Sequence, residues 1–131
     1  MLHSVLDATD RCPCGSGDTY GNCCAPLLTG HRKAPTAEAL MRSRYSAFCI
    51  GDVPYLLSSW HPDTRPDGLV MDDSTNFLRL VIHDTAGGGP FDQTGYVHFT
   101  AYYRSIDGRS GSLEEKSIFV RVSGRWFYVG D

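Results

Sequence analysis

This chain lacks a basic surplus, and it lacks any apolar run of membrane-spanning length. Its 131 residues hold 12 lysines and arginines against 15 aspartates and glutamates, a net charge of −3 at pH 7. General nucleic-acid binders carry the opposite balance, so the composition argues against nucleic acid as a partner. No stretch approaches the ~18 consecutive apolar residues of a membrane span. The opening residues, Met1 to Asp7, have no cationic flank ahead of an apolar core and do not read as a secretion signal. Internal repeats and low-complexity segments are also missing. These absences point to a soluble cytoplasmic protein, of a length that fits one domain of the usual ~100–150 residues.

The informative residues are concentrated near the start. Four of the five cysteines fall in Cys12-Pro-Cys14-Gly-Ser-Gly-Asp-Thr-Tyr-Gly-Asn-Cys23-Cys24. The glycines let the backbone fold tightly enough to bring two separated cysteines and an adjacent pair to one point. A reducing compartment disfavours structural disulfides, and the neighbours Cys23 and Cys24 bridge each other only with strain. Four thiolates are the number that a closed, tetrahedral, structural zinc site requires, whereas catalytic zinc keeps a position open for water. Structural zinc on Cys12, Cys14, Cys23 and Cys24 is therefore the expectation. Free or redox-active thiols are the first alternative. An iron–sulfur cluster is the weaker one, because the ligands are crowded and nothing nearby looks built to shield it. Cys49 stands apart in a helical pattern and reads as a small buried apolar residue.

Along the chain, residues 1–10 read as a frayed terminus, 11–25 as the cysteine head and 26–36 as an exposed connector carrying His31-Arg32-Lys33 and Pro35. Thr36 is placed to cap a helix, with Glu38 in its first turn. Ala37, Leu40, Met41, Tyr45 and Phe48 form one apolar stripe, and Arg44 lies inside it, where a guanidinium is out of place. Gly51-Asp52 ends this helix and caps a second, with Pro54 in its first turn. Val53, Leu56, Leu57 and Trp60 follow at helical spacing, and His61-Pro62 stops the run. Residues 61–72 form a loop, and Asp73 is placed to cap one short helical turn.

The period then becomes two. Phe77 to His83, Tyr96 to Ser105, Leu113 to Val122 and Arg125 to Val129 read as strands, the last two as a hairpin around Ser123-Gly124. Val97, Phe99, Ala101 and Tyr103 share one face. Helices followed by antiparallel strands make an α+β arrangement.

The string CPCGSGDTYGNCC closely resembles the SEC-C motif, the zinc knuckle at the C-terminus of the SecA translocation ATPase. Met41-Arg42-Ser43-Arg44-Tyr45-Ser46-Ala47-Phe48, Tyr55-Leu56 and Trp60-His61-Pro62-Asp63-Thr64-Arg65-Pro66 are similar to the YchJ-like family of small bacterial proteins. That family joins a SEC-C knuckle to a nuclear-transport-factor-2-like domain. The resemblance implies a knuckle over residues 11–25 with zinc on Cys12, Cys14, Cys23 and Cys24, where many such knuckles end in His rather than Cys. Over 36–131 it implies a cystatin-like cone, N-terminal helices packed on a curved antiparallel sheet around a cavity.

If the apolar face of each strand points into that cone, Phe119 faces inward and alternation sends Ser117 and Glu115 the same way. Arg44 points inward from the helix. Each charge is costly alone and tolerable as a pair, so Arg44 and Glu115 are expected to meet within ~4 Å, with Tyr45, Trp60 or His61 nearby. The cluster reads either as a small-molecule site or as a structural ion pair. His61 fits a helix-stop residue bonded to backbone better than a catalytic base. His83 and His98 lie on strands, with His98 opposite the apolar face and exposed. No nucleophile–base pair is visible, so the reading leans away from an enzyme. The leading expectation is an adaptor that offers its knuckle to a protein or ribosomal partner, as the SecA knuckle implies. The alternative is a small-molecule-binding protein or enzyme using the cone cavity. Nucleic-acid binding would need a local patch of Arg11, Arg32, Lys33 and Arg42.

Overall fold

The computed structural model describes residues 6–72 and 74–130. The expected cap at Asp73 and the first five residues of the expected frayed terminus lie outside the described residues. Residues 7–10 are tied to the head instead of frayed: Tyr20 donates its backbone N–H to Asp10 O at 2.7 Å and Gly21 to Ala8 O at 2.9 Å. After a 3-10 turn at Tyr20–Asn22, helix α1 spans Ala25–Leu28 with Pro26 in its first turn. The connector expected over 26–36 therefore begins as helix. Proline is tolerated there because the first-turn N–H groups have no intrahelical partner.

Helix α2, Ala37–Ile50, has both its expected ends. The Thr36 side chain accepts from the Ala39 N–H at 3.0 Å, and Gly51 closes the helix at φ 74°, a left-handed geometry that a residue with a Cβ adopts only with strain. Asp52 accepts from the Tyr55 N–H at 3.1 Å and opens helix α3, Val53–Ser58.

Four strands follow in a meander: β1 Thr75–Gly87, β2 Thr94–Ser105, β3 Ser110–Val122 and β4 Arg125–Gly130, each antiparallel to the next. Strand β1 runs four residues past the expected stop at His83, pairing as far as Gly87↔Gly95. Those last residues are exposed, so no burial pattern marked them as strand. Val97, Phe99, Ala101, Phe119 and Trp126 from the sheet pack against Ala37, Leu40, Met41 and Tyr45 of α2. This α+β architecture is the one expected. The free edge of β4 is covered by residues 59–61, since Tyr128 donates to Ser59 O at 2.9 Å and His61 to Tyr128 O at 2.7 Å.

Candidate metal centre and cone cavity

The four head cysteines converge. Their sulfurs all lie within 4.8 Å of one another, with Cys14–Cys23 at 3.6 Å and Cys23–Cys24 at 3.9 Å. Four thiolates about 2.3 Å from one ion at tetrahedral angles stand about 3.8 Å apart. The spacing is therefore that of a metal cage, and far beyond the roughly 2.05 Å of a disulfide. Cys12, Cys14 and Cys24 are buried and Cys23 is half-buried. Hydrogen bonds from Cys12 and Cys24 hold the Cys14 thiol far below its usual range. Hydrogen bonds with Cys12 and Cys14 push Cys24 up, and burial pushes Cys23 up to about 11. One thiolate thus suppresses the ionisation of its neighbours, and a cation at the centre would release all four.

The head is built into the domain core and does not hang from it. Cys12 Sγ lies 3.6 Å from Ser46 Oγ of α2, and Arg42 Nη1 donates to Cys14 O at 2.6 Å. Arg42 also bonds Glu38 at 2.9 Å. Burial works against its charge, but Glu38 and Cys14 outweigh that and raise its pKa. A four-thiolate site on a divalent ion carries a charge of about −2, and Arg42 is placed to offset part of it. This commitment takes Arg42 out of the basic patch that nucleic-acid binding needed.

A second feature lies between α2 and the sheet. A cavity of about 230 Å³ is lined largely by apolar side chains, Phe48, Phe77, Phe99 and Leu113 among them, with Arg44, Tyr45, Trp60, Glu115, Ser117 and Tyr128 also on its wall. His61 is not on that wall. Its Nδ1 accepts from the Asp63 N–H at 3.1 Å and its ring meets the edge of Phe127, because pairing of residue 61 with β4 turns it outward.

The expected Arg44–Glu115 contact does not form; among the described residues no ion pair within 4 Å joins them. Arg44, 3% exposed, donates through Nη1 to Leu56 O at 2.7 Å and Ser59 Oγ at 2.6 Å. Its guanidinium lies 4.4 Å from the Tyr128 ring centre and 5.1 Å from that of Trp60. Glu115 accepts from Tyr128 OH at 2.8 Å and from Ser117 Oγ. Tyr128 therefore stands between the two charges, its face to the cation and its hydroxyl to the anion. Burial lowers Arg44 to about 10, against smaller opposing effects of Tyr128, Tyr55 and Glu115. Tyr128 escaped the sequence reading, although the hairpin register pairs it with the inward Phe119 and so carried the signal.

The profile of the YchJ middle NTF2-like domain matches residues 36–131, and that of the SEC-C motif matches residues 9–26. A UPF0225 protein of Corynebacterium efficiens is 53% identical over 122 residues, covering 92% of each chain. One from Deinococcus radiodurans is 46% identical over 118 residues, covering 90% of this chain and 85% of its own. The solution structure of a SEC-C motif containing protein from Rhodopseudomonas palustris superposes with a TM-score of 0.78 at 36% identity, covering 90% of this chain and 94% of that one. A crystal structure of a SEC-C motif containing protein from Psychrobacter arcticus, 24% identical with a TM-score of 0.75, covers 93% of this chain and 81% of that one and shares the fold.

Proposed function

The chain belongs to the YchJ-like, UPF0225 family, and from that premise we propose that it is a zinc-stabilised cytoplasmic protein that binds a small molecule in the cone. The zinc assignment rests on the tetrahedral spacing of four thiols, a donor set that favours zinc among abundant divalent ions. A reducing compartment keeps those thiols free for it. The ion would be held by Cys12, Cys14, Cys23 and Cys24 and would supply rigidity, with no open position for chemistry.

The ligand reading is carried by one observation. Arg44 is buried on an apolar cavity and, among the described residues, bonds through Nη1 alone and has no carboxylate in direct contact. Buried charges normally have a partner. The Nε and Nη2 donors are therefore available to an oxygen acceptor on a ligand. Trp60 Nε1, from the same wall, is also buried without a hydrogen-bond partner among the described residues, and such groups call for an explanation. Glu115, which already accepts from Tyr128 OH and Ser117 Oγ, would take a ligand N–H or O–H on its remaining acceptor capacity. The class that fits is a small apolar or aromatic molecule with a polar acceptor at one end.

Benzoate and benzamide serve as probes, one charged and one neutral, titrated into the zinc-loaded chain and followed by amide NMR. The expected result is saturable shifts at residues of the cavity wall, lost in Ala101→Leu, which fills the cavity without touching the charges. Neither probe nor a broader fragment set moving those resonances would overturn the reading.

A second reading keeps the head as a docking surface for a protein or ribosomal partner. It is favoured by exposed Arg32 and Lys33, which with Arg125 line a groove of about 270 Å³ beside the head. Salt-sensitive cosedimentation with ribosomes, lost in Arg32→Glu/Lys33→Glu, is its expected outcome. Sedimentation that ignores both the charge reversal and the salt would count against it.

A further inference from the structure

The outer face of the sheet, opposite the cone, brings together two histidines and a glutamate that neither the cysteine head nor the cavity uses. Residues 97, 99 and 101 of β2 point into the core, so alternation sends His98 and Thr100 to the other side. On β3, Glu114 is the cross-strand partner of Thr100, and Lys116 that of His98. On β1 the register slips: Ile82 faces Phe99 and Asp84 faces His98, leaving His83 as the extra residue of a bulge. Bulges re-aim side chains and gather beside functional sites. Here the bulge sets the His83 ring 4.8 Å from that of His98, at an interplanar angle of 52°. The Nε2 of His98 lies against Glu114 Oε2. One ligand atom from each of His83, His98 and Glu114 falls within 4.8 Å of the others.

We propose that His83, His98 and Glu114 form a second metal site, independent of the cysteine head, that takes a divalent cation of the zinc type on the solvent face of the sheet. Two imidazoles and one carboxylate are the donor set of open zinc sites, in which a fourth position stays with water. The same donors accept cobalt, nickel or copper, and discriminate against calcium and magnesium, which want oxygen ligands. Thr100 supplies the orienting partner that such sites use. Its hydroxyl lies 2.6 Å from His83 Nε2, which fixes the ring and leaves Nδ1 as the metal-binding nitrogen. Glu114 is exposed on the sheet surface with its carboxylate against His98, so an oxygen ligand stands beside the imidazoles. The Lys116 ammonium works the other way. A cation beside a cation weakens binding, and the site is open to water, so its affinity is lower than that of the closed four-thiolate head.

That difference separates the two sites in one experiment. The full chain with its cysteine head already holding one zinc is titrated with zinc by calorimetry, and in parallel with cobalt by visible absorption. One further equivalent is expected, and its cobalt form should show weak d–d bands without thiolate-to-metal charge transfer. His98→Ala and Glu114→Gln should each weaken this equivalent by about tenfold or more while the first zinc and the circular dichroism stay unchanged. His31→Ala, a change at an exposed histidine elsewhere, should leave it intact. Absence of a second equivalent at millimolar metal, or a second equivalent unmoved by His98→Ala, would overturn the proposal.

Discussion

The burial of Arg44 rests on few contacts. One nitrogen holds two backbone-anchored acceptors, Leu56 O and Ser59 Oγ, and two aromatic faces cover the guanidinium. Removing it takes a charged donor from both acceptors and leaves a void between the rings, so Arg44→Ala should cost about 2–3 kcal/mol in denaturant unfolding. Tyr128→Phe removes only the hydroxyl on Glu115 and should cost about 1 kcal/mol. Equal losses from the two would contradict the central place given to Arg44. Cys49 offers a pH signature. Burial first, with a smaller opposing hydrogen bond to Tyr45, pushes its thiol from 9.0 up to about 12. An acid whose folded pKa is raised contributes stability that is intact below 9.0 and is lost as pH climbs toward 12. At pH 8.5 iodoacetamide should therefore modify Cys49 far more slowly than free cysteine, and an equal rate would refute the burial argument. The sequence reads this residue as a small buried thiol; it is half-buried on α2, packed against the apolar cluster. What eluded that reading was side-chain reach. It placed Arg44 and Glu115 on facing walls and left out the Tyr128 ring between them, which the register of the expected hairpin sets opposite Phe119.

At the scale of elements, the signals that were readable are those whose physics is local. The cap at Thr36, the left-handed stop at Gly51 and the cap at Asp52 each involve neighbours within four residues, and each stands where the sequence puts it. Helix α1, the last turn-pairs of β1 and the bulge at His83 depend on tertiary contacts and had no such signal. Gly95 shows the difference. A Cβ there would stand 2.5 Å from Gly88 Cα and 3.1 Å from Ala37 Cβ, because the start of α2 leans on the β1–β2 connection, where Ala37 donates to Gly88 O at 2.9 Å. Gly95→Ala should thus lower the melting temperature well beyond the change produced by Gly68→Ala in the open loop after α3, where a Cβ meets nothing. Similar shifts at the two glycines would mean that the α2 contact is not needed.

Across the whole molecule, the head and the cone share one apolar cluster. Cys12, Cys14 and Cys24 sit in the same apolar cluster as Leu40, Met41, Tyr45 and Val97. The sequence separated a knuckle from a domain because the cysteine spacing and the helix stripe are distinct patterns. It could not register that Ser46 and Arg42 of α2 close against the cage. Metal removal should consequently lower the stability of the entire chain in a single transition, with no separate melting of a small head. Acid should act in the same direction, since protonating the thiolates releases the ion.

The proposed stabilisation comes from that ion, and the direct measurement is metal content by elemental analysis of the chain purified without added metal, joined to its unfolding before and after chelation. About one zinc per chain is expected, with its loss in Cys14→Ser and a cooperative fall in melting temperature on chelation. Substoichiometric zinc, or a chain whose unfolding ignores the chelator, would contradict it.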